Sequence, residues 1–183
     1  MNIFIMSEII KTISLGTVTL GPKIQITDPG YTPDLWCSKE KKILPGEYLC
    51  SVRRAPVKEW GMRTLSIKIQ HKDHPDAKID YSDEITAVPV DSGQAGFFDH
   101  EYFIENNPQP GGDILDLNDK WYGRICEITT RNENDFDTID GKGVVSSSGF
   151  GDGCYGCYAA RHKKDTVALE IVFIEENYLK ETN

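Results

Sequence analysis

CYGCYAARHKKDTVALEIVFI, residues 154–174, is the stretch that decides the fold. Its second half, Thr166–Ile174, is β-branched and aromatic with almost no polar interruption. Val167, Leu169, Ile171 and Phe173 fall on one face at period two, and Ala168, Glu170, Val172 and Ile174 on the other. Glu170 breaks the second face, so the first is expected in the core. Lys163-Lys164-Asp165 is a charged turn signal, and Cys154–Ala160 before it has strand character. The stretch therefore reads as an antiparallel hairpin.

Working outward, the rest of the chain has the same texture. Gly21-Pro22, Asp28-Pro29-Gly30, Pro45-Gly46, Asp91-Ser92-Gly93, Pro110-Gly111-Gly112 and Asp140-Gly141 cut it into short pieces. Thr17–Leu20 and Lys23–Thr27 flank one such turn and are expected to pair. Glu47–Arg53, Arg63–His71, Ile85–Val90 and Gly143–Ser147 are further strand candidates. Arg63–His71 alternates most clearly, with Leu65, Ile67 and Ile69 facing one way. Helical signals are few: one turn at Asp99–Ile104, and Asp113–Ile128, whose end is also compatible with a strand at Gly123–Thr129. Asn106–Gly112 and the acidic Asn132–Gly141 read as exposed loops. The expected fold is mainly β, with α+β as the alternative: a single-domain antiparallel β-sandwich-like fold over 1–183, core about 9–175, with one or two short helices.

Composition bounds the function. The 183 residues carry 29 acidic and 20 basic side chains, a net charge of −9, which disfavours nucleic acid as a partner. The small cluster Lys39, Lys41 and Lys42 does not change that. No apolar run approaches membrane-spanning length, so no membrane is expected. The opening MNIFIMSEIIK lacks a basic n-region and a small-residue cleavage site, and Met6 offers a second start. Five cysteines without a secretion signal point to free thiols and a cytoplasmic location.

The glycine-rich stretch GVVSSSGFGDGCYGCYAAR (143–161) contains G-x-G-x-x-G at Gly151, Gly153 and Gly156. A dinucleotide fingerprint needs a helix after it, and here a hairpin follows, so the match is accidental. No P-loop occurs. A tight turn remains, whose glycines allow positive φ and can form an anion-binding nest. Gly151 or Gly153 is expected at positive φ, with Asp152 accepting hydrogen bonds from the loop amides. NENDFDTIDG fails the EF-hand spacing. Cys154 and Cys157 are three apart on a strand, on opposite faces, and Cys37 and Cys50 lack zinc-ribbon spacing. No metal or other cofactor is implied.

The segments DPGYTPDLWC (28–37), LPGEY (44–48), EWGMR (59–63), VDSGQAGFFD (90–99), WYGRIC (121–126) and the glycine-rich stretch together resemble a family of bacterial and phage proteins known only as a domain of unknown function. The resemblance runs from about Lys23 to Ile174. Members usually carry another residue, often Cys, at the position of Gly30, and Tyr or Trp at that of Phe150. The resemblance implies an intracellular, β-rich single domain and no particular reaction. It singles out Asp91–Asp99 and Ser146–Tyr155 as signature segments. They mark either a site or structural Asx-turns and hydrogen-bond networks.

Two functional expectations follow. In the first, the protein is a binding module for a small polar molecule, such as a nucleotide fragment, or for a partner protein in phage–bacterium conflict. Asp91, Ser92, Gln94, Ser147, Ser148 and Asp152 would line a cleft beside Trp36 and Tyr155, with Gly151 and Gly153 in the nest. In the second, it is a hydrolase: Asp91 or Asp99 acts as general base, or His100 activates Ser92 or a water. The first requires the glycine loop to approach Asp91–Gln94, and the second requires His100 within hydrogen-bond reach of a serine or carboxylate.

Overall fold

The computed structural model describes residues 10–107, 120–131 and 134–181. In chain order the elements are β1 (Lys11–Leu20), β2 (Lys23–Thr27), β3 (Lys39–Lys42), β4 (Gly46–Pro56), β5 (Met62–His71), β6 (Asp80–Val90), β7 (Gln94–Asp99), α1 (His100–Asn106), α2 (Lys120–Cys126), β8 (Phe136–Ile139), β9 (Gly143–Ser147), β10 (Gly153–His162), β11 (Asp165–Val172) and α3 (Glu176–Glu181). They form two antiparallel sheets, β1-β4-β5-β11-β10-β6 and β3-β2-β7-β9-β8. The main core draws on both. Ile67, Ile69, Leu169 and Ile171 of the first sheet belong to the same buried cluster as Ile24, Ile26, Phe97 and Val144 of the second. This is the mainly β architecture expected of alternating short strands.

The β10–β11 hairpin forms as the sequence predicts, with His162 opposite Asp165 and Cys157 opposite Ile171. Val167, Leu169, Ile171 and Phe173 are all buried. The second face is not open, however. β11 is an inner strand, with β5 on its other edge, and Glu170 is buried against Tyr81, whose hydroxyl donates to Glu170 Oε2 at 2.6 Å. One oxygen of that carboxylate thus has a long-range partner, while the other, Oε1, is buried without one among the described residues.

Three other expectations are corrected. β1 and β2 do not pair: β1 pairs with β4, while β2 lies between β3 and β7, so Gly21-Pro22 carries the chain from one sheet to the other. The acidic loop 132–141 contains β8, whose Phe136 and Ile139 are buried. Lys39, Lys41 and Lys42 lie on β3, an edge strand, where charge discourages further pairing. Asn107 is buried and donates from Nδ2 to Tyr31 O at 2.8 Å, while 108–112 lie outside the described residues.

Of the helix expected over 113–128, the described part is helical at α2 and continues as a π-helical turn, Glu127–Arg131, which rules out the strand alternative at 123–129; residues 113–119 lie outside the described residues. α1 begins where expected because Asp99 caps it, Oδ1 accepting from Tyr102 N at 3.1 Å. Phe103, Trp121 and Ile125 of these two helices pack with Phe98, Ile139 and Val145, forming a second apolar cluster on the second sheet. No helix among the described residues is long and apolar enough to cross a membrane.

Candidate functional site

Gln94 of β7 pairs with Ser147 of β9, and Ser148 N donates to Gly93 O at 2.9 Å. The two signature segments therefore meet at one end of the sandwich. The meeting point is organised by a residue outside both of them. Asp28 is fully buried and accepts four hydrogen bonds: from Gly30 N (2.7 Å) and Ser92 Oγ (2.6 Å) on Oδ1, and from Asp91 N (2.8 Å) and Ser92 N (2.7 Å) on Oδ2. Burial outweighs these bonds and holds its carboxyl above the usual carboxylate range. Nearby, the Tyr31 hydroxyl donates to Asp91 Oδ2 at 2.6 Å; burial and that bond push the phenol well up. Burial also raises the Cys37 thiol, which keeps it protonated and unreactive at neutral pH.

The glycine loop is closed from inside. Gly151 N donates to Ser148 O at 2.9 Å and Ser148 Oγ to Gly151 O at 2.8 Å. Tyr155 lies beneath, its hydroxyl within 3.0 Å of Ser148 O and 2.6 Å of Gly151 O, its ring against Phe173. Gly149 and Gly151 have φ of 60° and 106°, so the positive-φ expectation holds at Gly151 and moves from Gly153 to Gly149. Asp152 does not accept the loop amides as expected. It is exposed, and carbonyls rather than a carboxylate anchor the loop.

Around this loop lies a cleft of about 460 Å³ between the two sheets. Arg54, Met62 and Arg63 come from the β4–β5 end; Ser147, Ser148 and Gly151 come from the glycine loop; Gly93 and Asp135 complete its floor. Thr129 and Thr130 of the π-helical turn form another wall, their hydroxyls donating to Ile125 O and Cys126 O. Arg54 holds Asp135 through Nη2, at 3.3 and 3.0 Å from the two carboxylate oxygens, and lies over the Phe136 ring. Ser147 Oγ adds a bond to Asp135 Oδ2 at 3.2 Å. Among the described residues, two guanidinium groups thus face one committed carboxylate, on a chain of net charge −9.

Of the residues singled out from the sequence, Ser147, Ser148 and Gly151 line this cleft, while Gly153 begins β10. Ser92 and Asp91 stand behind it in the Asp28 and Tyr31 network. Gln94 is buried, its Nε2 3.6 Å from Cys126 Sγ. Tyr155 supports the loop from below. Trp36 is not a lining residue; it is 77% exposed, with Lys39 over its ring. Asp99 is a helix cap, and its Oδ2 also accepts from Gly21 N at 2.7 Å. His100 does not meet Ser92. Its Nδ1 is 3.0 Å from Gln25 Oε1 and its Nε2 3.3 Å from Glu40 Oε2. The whole of β7 separates it from Ser92, roughly 20 Å at about 3.3 Å per residue.

Arg54, Arg63, Asp28 and Asp135 are the residues that reading the sequence missed. Arg63 stands in EWGMR and Asp28 opens DPGYTPDLWC. The only signal was their place beside turns, since Asp28 meets Asp91 and Ser92 across 63 and 64 residues, beyond its local bond from Gly30, and Arg54 meets Asp135 across 81.

Fold and cleft together define a two-sheet β protein with a polar, arginine-bearing cleft at one end. The chain belongs to the family described as Protein of unknown function (DUF4241), whose model matches residues 23–172. No curated protein and no solved structure matches it.

Proposed function

We propose that the protein is a binding module for a small polar molecule held in the cleft between Arg63 and the Ser147–Gly151 loop. The observation that carries this reading is the unspent hydrogen-bonding capacity there. Arg54 Nε and Arg63 Nε are both buried without an acceptor among the described residues, and both side chains line the same space. The terminal nitrogens of Arg63 also have no acceptor among the described residues, and a ligand that brings acceptors into the cleft would engage them. The loop is braced by Tyr155, the turn by Asp28, and the opposite wall by the Arg54–Asp135 pair, so the site is preorganised. Hydrolysis is the weaker reading, because the Ser92 hydroxyl is engaged by Asp28 and has no histidine beside it.

A thermal-shift screen of nucleotides, sugars and divalent ions, followed by amide chemical-shift mapping, tests the reading. A ligand that stabilises the protein and moves the amides of Gly93 and Ser147–Gly151 is the expected result. A flat screen, or shifts confined to another face, would overturn it.

A further inference from the structure

We propose that the ligand is a phosphate monoester on a planar ring, a nucleoside monophosphate in chemical class, with Arg63 meeting the phosphate and the Trp60–Phe150 pair receiving the ring. This rests on the reading of the cleft as a ligand site.

The charge balance selects an anion. Asp135, the one carboxylate lining the cleft among the described residues, is already engaged by Arg54 and by Ser147 Oγ. Arg63 donates no hydrogen bond to any described residue and makes no ion pair among them; its guanidinium lies 5.8 Å from the Trp60 ring centre. A planar fork held over an aromatic ring is preorganised for a bidentate oxyanion. The loop adds further donors. Backbone φ is positive at Gly149 and Gly151 and not at Phe150 between them, the alternation that turns successive N–H groups into one concavity. Within that turn the Gly151 N–H is spent on Ser148 O, while those of Gly149 and Phe150 meet no acceptor among the described residues. An arginine fork and two loop amides offer more donor directions than the two oxygens of a carboxylate use. The three terminal oxygens of a phosphate monoester match them better.

The rim selects the rest of the ligand. Phe150 borders the cleft and is 37% exposed; Trp60 is 48% exposed and meets it edge to face at 5.3 Å. Met62, also on the rim, is 40% exposed. Large apolar side chains this open, beside a cationic seat, form a surface on which a base can stack.

Titration calorimetry on the full chain, with inorganic phosphate, ribose 5-phosphate, adenosine and the four common nucleoside monophosphates, tests the proposal. At least one nucleoside monophosphate should bind about tenfold more tightly than ribose 5-phosphate, the gain expected from one stacked base. Arg63→Gln should weaken it about 10- to 100-fold, the loss of one charged hydrogen-bonding partner. Phe150→Ala should erase the advantage over ribose 5-phosphate and leave ribose 5-phosphate binding unchanged. If Arg63→Gln does not fold, Arg63→Lys serves, with a smaller loss expected because the charge stays and the fork goes. Adenosine or a neutral sugar binding in the cleft while no phosphate compound does would overturn the proposal and leave the cleft reading standing. Ribose 5-phosphate equalling every nucleotide would overturn the ring assignment, and with it the proposal. A failure of these compounds and of every compound in the wider screen would sink both.

Discussion

Ser92 Oγ donates to Asp28 Oδ1 at 2.6 Å across 64 residues of chain, and the same carboxylate accepts the backbone amides of Asp91 and Ser92. One buried side chain thereby fixes the turn between β6 and β7. The next residue in that turn, Gly93, accepts from Ser148 N and borders the cleft. The Asp28 network is the floor on which the glycine loop rests.

Ser92→Ala should cost about 1.5–3 kcal/mol, the range for a hydrogen bond to a charged group. Asp28→Ala should cost more, because it leaves the amides of Gly30, Asp91 and Ser92 without their acceptor. Urea denaturation measures both. A loss below about 0.5 kcal/mol, the range of ordinary surface substitutions, would mean that the turn does not depend on Asp28.

The Asp28 carboxyl also sets a pH dependence. Its folded-state value is raised from 3.8 by burial, so the folded chain holds its proton more tightly than the unfolded chain. Its contribution to stability is therefore full below 3.8 and declines as pH rises through the folded value. The stability difference between wild type and Asp28→Asn should shrink from pH 4 upward and then level off. A difference that grows with pH would show that the four hydrogen bonds outweigh burial.

Leu169→Ala and Ile171→Ala should each cost about 2–5 kcal/mol, as expected for large-to-small changes at fully buried sites. Both residues sit on the inner face of β11 with β5 and β10 on either side. Equilibrium unfolding of the two variants checks this. A cost near zero would place β11 one residue out of register.

Gly149 and Gly151 should respond differently to alanine. At Gly151 a Cβ meets nothing within 4 Å, so only the left-handed backbone is penalised, by about 1–2 kcal/mol. At Gly149 the Cβ also falls 3.0 Å from Phe173 Cβ and from Ile174 Cγ1. Gly149→Ala should be the more destabilising in thermal melts, and equal losses would place the loop away from the core.

His100→Ala should leave ligand binding in the cleft unchanged, because the imidazole faces Gln25 and Glu40 at the far end of β7. Its contact with the exposed Glu40 contributes little, as surface pairs of this kind do. Loss of binding in a folded His100→Ala protein, measured by calorimetry, would contradict this geometry.

The β10–β11 hairpin, β5 and the start of α1 were legible in the residues themselves. Their causes are local: period-two alternation, a Lys-Lys turn, and a capping Asp99 three residues before the amide that it accepts. Tyr155 and Ser148 stand beside a glycine turn in the sequence and both bond within it, Tyr155 from beneath. β8 escaped because two buried side chains, Phe136 and Ile139, are set among acids that read as solvated loop. Gly21-Pro22 looked like a hairpin turn because the turn chemistry of a hairpin and of a crossing between sheets is the same.

What the amino-acid sequence determined by itself was a mainly β chain with its glycine loop between two strands. What only the tertiary structure decided was which distant groups meet there: Asp28 with Ser92, Arg54 with Asp135, Arg63 with an open space. Period and turn type act over a few residues and are written in the chain. Those partners lie 64 and 81 positions apart in the first two cases, and sheet order alone brings them within reach.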